Sequence, residues 1–210
     1  MKSGILGGTF DPPHRGHLEI AARVCAALAL DRVFFVLSFQ PPHKRSECLT
    51  PFPARWEMLR AALAGRPEFV PLDIEREWGG TSYTVRTVTE LIRRNPADDF
   101  WLILGADSLD ELSGWKDPER IAQLVRIAVY PRDGTAGEAP PFLKARVDRV
   151  CGPAFDVSSS EIRDRVRRGA DVRDLVPPAV WSIIAARRLY HPSGYRPGDD
   201  GRAEGKGGPA

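Results

Sequence analysis

A chain of 210 residues with 42% hydrophobic and 28% charged side chains is long enough for one domain with a sizeable core, and this composition excludes a disordered or fibrous protein. The 30 Lys and Arg nearly balance the 28 Asp and Glu, leaving a formal charge of +2 with no concentrated basic block, so binding to nucleic acid through bulk charge is excluded and an anionic partner has to be recognised locally. No apolar run reaches the roughly 18 residues of a membrane span, and residues 1–6 lead straight into a glycine turn without the apolar core of a signal peptide, so a cytoplasmic chain with no membrane partner is expected.

Along the chain, short runs rich in β-branched and aromatic residues alternate with amphipathic stretches. Residues 3–6, 33–38, 68–72, 100–104 and 126–130 read as strands. Between them, residues 17–28 carry Leu18, Ala21, Val24, Cys25 and Leu28 at helical spacing, and 54–64 follow a helix-starting Pro53. Further helices are expected over 85–94, ended by Asn95 and Pro96, and over 118–125. Strand and helix in alternation imply an α/β fold: a Rossmann-like doubly wound parallel sheet with helices on both faces. A turn-rich, mobile segment is expected at 131–141, then a short strand near 147–150. Two C-terminal helices follow, at 159–168, closed by Gly169, and at 178–189. From about His191 the Gly, Pro and charged residues cannot bury enough apolar surface to offset ordering, so the expected division is a domain at 1–190 and a disordered tail at 191–210. The three cysteines, Cys25, Cys48 and Cys151, are far apart and lack metal-ligand spacing, and read as reduced thiols.

The densest chemical signal is GGTFDPPHRGH at residues 7–17, between the first strand and the first helix. In open α/β sheets ligands bind beyond the carboxyl ends of the strands at the topological switch point, and this loop stands there. Gly7 and Gly8 let the backbone come close to a phosphate, and the helix N-terminus adds amide donors and partial positive charge. His14 and His17, three residues apart, can share one side of the first turn, with Gly16 leaving room for the nucleotide. Two imidazoles and several backbone donors suffice for in-line phosphoryl transfer, which needs positioning and charge stabilisation more than covalent chemistry. The stretch resembles the signature of the nucleotidyltransferase superfamily that carries (H/T)xGH. The resemblance implies that His17 stabilises the α-phosphate in the transition state with help from His14. It also implies that Gly7, Gly8, Thr9, Phe10 and Gly16 form the ATP turn.

Near the other end of the chain, residues 156–163 read DVSSSEIR. Ser158 and Glu161 make a capping box, which alone would explain the serines. The same superfamily carries a similar ISSTxIR stretch for the β- and γ-phosphates, and the resemblance assigns Ser159, Ser160 and Arg163 to the ATP triphosphate. Arg163 is suited to this because guanidinium binds phosphate in a planar fork. Val157 and Ser160 depart mildly from the superfamily's Ile and Thr.

Three further stretches follow strand ends: PPHK at 41–44, WGGTSYT at 78–84, and GADS with ELSGW at 105–108 and 111–115. In order and spacing they resemble bacterial nicotinate-mononucleotide adenylyltransferases. That resemblance implies ATP and nicotinate mononucleotide as substrates and nicotinate adenine dinucleotide and pyrophosphate as products. Lys44 would meet the mononucleotide phosphate and Asp107 a ribose, with Gly105 beside it. Trp115 would stack on the pyridine ring, and the backbone of Thr81, Ser82 and Tyr83 would face its carboxylate. Taken singly, these read as well as a solvated lysine, a helix-capping aspartate and a core tryptophan. Mg²⁺ is expected to arrive with ATP, with no protein ligand named. Pantetheine-phosphate adenylyltransferase shares HxGH and the serine clamp and is the competing enzyme. A nucleotide-sensing regulator would need an output module for which the chain has no room. The sequence leaves a homo-oligomer open.

Overall fold

A computed structural model describes residues 1–42, 49–131, 139–143, 146–153, 155 and 157–192. Among these, six strands form one parallel sheet in the order β3-β2-β1-β4-β5-β6: β1 (Lys2–Gly8), β2 (Arg32–Leu37), β3 (Phe69–Leu72), β4 (Asp99–Gly105), β5 (Arg126–Tyr130) and β6 (Val147–Arg149). This is the doubly wound arrangement expected from the alternation, with the switch point at β1 between β2 and β4.

The pleat divides the strand residues between two cores. Leu6, Val33, Phe35, Leu37, Ile103 and Tyr130 face one, together with Leu18 and Val24 of α1 (Arg15–Leu28) and Leu59 of α2 (Phe52–Leu63). Ile5, Phe34, Val36, Leu102, Leu104 and Val129 face the other, with Ile74 of α3 (Ile74–Trp78), Val88 of α4 (Thr84–Arg94), Leu109 of α5 (Ala106–Glu111) and Ile121 of α6 (Pro118–Leu124). A third core joins Ala54, Met58 and Ala62 on the far side of α2 to α7 (Ser159–Arg167) and α8 (Pro178–Ala186) through Ile162, Val166, Val180 and Ile184. It sets the C-terminal pair beside the end of the sheet where the glycine turn emerges.

Two helices go beyond the sequence reading. Where strand-end loops were expected after β3 and β4, α3 and α5 form, of 5 and 6 residues respectively. α1 begins at Arg15, with His14 as its N-cap, two residues earlier than its apolar spacing indicates. Gly169 closes α7 at φ 71°, as expected of a left-handed C-terminal glycine. α8 ends at Ala186 rather than 189, and the chain then turns through Arg188 and Tyr190, both at positive φ. Cys25 is a free, half-buried thiol and Cys151 a free, exposed one. No helix among the described residues is long and apolar enough to cross a membrane. Lys44, Cys48, most of the expected mobile segment and residues 193–210 lie outside the described residues.

Candidate active site

The glycine-histidine turn and the serine-rich stretch, distant in sequence, meet in the structure. Ser159 Oγ donates to the Pro12 carbonyl at 2.8 Å, and Arg163 donates to the Asp11 carbonyl at 2.8 Å and to Ser160 Oγ at 3.2 Å. The Arg15 amide donates to the Leu175 carbonyl at 2.9 Å, so one first-turn amide of α1 is spent inside the protein. Ser158 caps α7 by accepting from the Glu161 amide, while the Glu161 carboxylate pairs with Arg165.

Within the turn, the His14 and His17 rings stack at 3.7 Å between centroids, and Phe10 meets His17 edge-on at 5.0 Å. The His14 amide donates to His17 Nδ1 at 3.2 Å. Burial, and secondarily the neighbouring His14, hold the His17 pKa well below 6.5, so the ring is neutral at pH 7. A neutral imidazole that accepts at Nδ1 carries its proton on Nε2.

At two residues of the expected ATP turn, the protein itself fills the side-chain position. Phe10 is 1% exposed, so its side chain belongs to the core beneath His17 rather than to a nucleotide surface. At Gly16, an added Cβ would stand 2.9 Å from Val157 Cγ1 and 3.0 Å from His14 Nδ1. The space expected for a nucleotide is filled by the second motif and the first histidine, so this glycine lets the two motifs close on each other. Gly7, by contrast, has nothing within 4 Å of such a Cβ and lies exposed at the end of β1.

Beneath the turn lies a buried network with no signature in local spacing. The Asp11 carboxylate is fully buried and accepts from the Thr50 amide at 3.0 Å and from the Tyr190 hydroxyl at 2.7 Å. Arg55, also buried, donates to the carbonyls of Thr9 at 3.0 Å, Ser38 at 2.8 Å and Thr50 at 2.8 Å, tying the turn to the end of β2. Burial pushes the Arg55 pKa down, against the opposing pull of Asp11, and pushes that of Tyr190 well up, with Asp11 adding to it.

On the far side of the switch point, Gly105 ends β4 and caps α5, with Asp107 exposed in the first turn of that helix. Trp115 is half-buried against the second core, and its indole N–H is buried without a partner among the described residues. The loop at 81–83 is held to the segment that follows β2: the Ser82 amide donates to the Gln40 carbonyl at 2.9 Å, and Ser82 Oγ accepts from the amides of Phe39 and Gln40, both at 3.0 Å. Ser82 is thus committed within the protein, while Tyr83 is an exposed aromatic residue.

Residues 5–165 match the cytidylyltransferase-like family. A curated protein from Geotalea daltonii named probable nicotinate-nucleotide adenylyltransferase is 40% identical over 215 residues, covering 91% of this chain and 99% of the relative. One of the same name from Geobacillus kaustophilus is 42% identical over 190 residues, covering 90% and 86%. Among solved structures, the Plasmodium falciparum nicotinic acid mononucleotide adenylyltransferase complexed with NaAD shares the fold at a TM-score of 0.75 and 19% identity, over 90% of this chain and 98% of that one.

Proposed function

The chain belongs to the nicotinate-nucleotide adenylyltransferases of the cytidylyltransferase-like family, and on that premise we propose that it transfers AMP from ATP to nicotinate mononucleotide in the cytoplasm, a step of NAD biosynthesis. The observation that carries the reading is the union of the glycine-histidine turn with the N-terminus of α7 through Ser159 and Arg163, which makes one phosphate site from two motifs.

In this reaction an oxygen of the mononucleotide phosphate bonds to the α-phosphorus of ATP. The bond from that phosphorus to the bridging oxygen breaks, and pyrophosphate leaves with the electron pair. A phosphate monoester has its second pKa near about 6, so the attacking oxygen is already deprotonated at pH 7 and no general base is required. The chain's task is placement and charge stabilisation. His17 donates from Nε2 to an α-phosphate oxygen, its tautomer held by the His14 amide. Arg163, Ser160 and the first amides of α7 face the β- and γ-phosphates, with Ser159 fixing that helix to the turn. Asp107, Trp115 and the loop at 81–83 take the mononucleotide. Mg²⁺ would arrive with ATP: among the described residues no group of three His, Cys, Asp or Glu could hold it, and the buried Asp11 carboxylate is already taken by Thr50 and Tyr190. Bound with ATP, it would supply positive charge against the negative charge developing on the leaving pyrophosphate.

The test is pyrophosphate release from ATP and Mg²⁺ with nicotinate mononucleotide or with 4′-phosphopantetheine as acceptor. Nicotinate adenine dinucleotide should form in equal amount to pyrophosphate in the first mixture alone. Turnover with phosphopantetheine instead, or no pyrophosphate from either, would overturn the assignment.

A further inference from the structure

Glu75 is a buried carboxylate on α3, immediately beyond the carboxyl end of β3, and the transfer chemistry makes no use of it. Burying a carboxylate is costly unless donors replace its water. Here one oxygen, Oε1, accepts from the Thr87 hydroxyl at 2.6 Å, the length of a charge-assisted bond, and Oε2 accepts from the Phe39 amide at 3.3 Å. That amide is shared with Ser82 Oγ, which also takes the Gln40 amide, while the Ser82 amide returns to the Gln40 carbonyl. The end of β2, helix α3, the loop at 81–83 and helix α4 are therefore clasped by one hydrogen-bond network.

We propose that the Glu75–Thr87 pair is a positioning device for the acceptor half of the site, holding the loop at 81–83 at the strand ends by way of Phe39 and Ser82. Thr87 is 3% exposed and has no surface with which to touch a ligand, so its influence on a substrate passes through Glu75. The clasp meets the Asp11–Arg55–Tyr190 network only at the segment after β2, where Arg55 donates to the carbonyls of Ser38 and Phe39 while the Phe39 amide donates to Glu75 and Ser82. The inference rests on the reading of residues 81–83 as part of the acceptor site.

The experiment is steady-state kinetics of the full chain with each substrate varied, for the parent, Thr87→Val, Thr87→Ser and Ser82→Ala. Thr87→Val keeps the shape and removes the donor, leaving a buried carboxylate oxygen unpaired. The KM for the acceptor should rise about fivefold to tenfold, with the KM for ATP and kcat within about twofold of the parent. Ser82→Ala should act in the same direction, and Thr87→Ser, which keeps the hydroxyl, should restore the parent value. Equal rises in both KM values, a fall in kcat alone, or no change in Thr87→Val would overturn the proposal. A parent that uses phosphopantetheine rather than nicotinate mononucleotide would retire the substrate assignment, and the clasp would then be judged by the KM for phosphopantetheine.

Discussion

At Gly16 a single methyl group would have to enter space already held by Val157 and His14. Two effects oppose each other there: alanine is the better helix former by about 1 kcal/mol, whereas forcing a carbon into packed surroundings costs about 1–3 kcal/mol. The close contacts decide it, because one of them is to a valine methyl and the other to a stacked ring. Gly16→Ala should lose about 1 kcal/mol in urea denaturation and lower kcat several-fold, since the atoms displaced belong to both motifs of the proposed phosphate site. An unchanged midpoint together with unchanged kcat would show that the motifs can part without consequence. His17 is the complementary case, a residue proposed to act on the substrate directly. His17→Ala should lower kcat by about 10² to 10³, the scale of one lost transition-state donor, with a smaller effect on the KM for ATP. Its burial carries a pH signature as well. With a folded pKa below 6.5, the folded chain refuses a proton that the unfolded chain binds, so stability falls as pH drops below 6.5 toward the folded value. Titration of the His17 ring by NMR should give a midpoint under 6.5, and a midpoint at or above it would mean a charged donor and a different electrostatic account.

The short segment after α8 shows how an element far from the chemistry can support it. Tyr190 reaches back to Asp11, whose carboxylate is buried and whose carbonyl receives Arg163. Tyr190→Phe removes a donor from a buried anion and should cost about 1–3 kcal/mol in urea denaturation. The raised phenol pKa adds an alkaline test: above 10 the unfolded tyrosine ionises while the folded one stays neutral, so part of the parent's stability is lost as pH rises past 10, and Tyr190→Phe should lack that part. Equal alkaline slopes in the two proteins would argue against the bond to Asp11. This network also marks the limit of what the sequence discloses. The strands were legible as short continuous runs of β-branched and aromatic residues, buried on both faces of the sheet, and the two candidate phosphate motifs because glycine, histidine and serine stand at fixed local spacing. α3 and α5 were not, since helices of 5 and 6 residues complete too few turns to show a period. Asp11, Arg55, Glu75, Thr87 and Tyr190 were missed for another reason: their roles arise from hydrogen bonds between distant segments, and single polar residues announce no such pairing. The only local hint was the position of Asp11 inside the glycine-histidine turn.

At the scale of the molecule, the C-terminal helices that carry the proposed ATP clamp are part of the main fold rather than an appendage, because α2 is buried on both sides. Its Leu59 faces the sheet, while Ala54, Met58 and Ala62 face α7 and α8. Loosening α8 should therefore be transmitted through α2 to the strands instead of releasing the C-terminal helices alone. Ile184 tests this: it is fully buried in the third core and distant in sequence from every residue assigned to the chemistry. Ile184→Ala should cost about 2–5 kcal/mol, depending on how far the site collapses around the lost atoms. The loss should appear as one transition, with tryptophan fluorescence and far-UV circular dichroism shifting together. With the proposed ATP site formed only by the joined motifs of the folded state, ATP at about 100 times its Kd should then restore about 2.7 kcal/mol to parent and variant alike. An early fluorescence transition that leaves the dichroism of the sheet intact, with ATP raising only that first step, would instead make the C-terminal helices a separate folding unit that docks on a stable nucleotide-binding sheet.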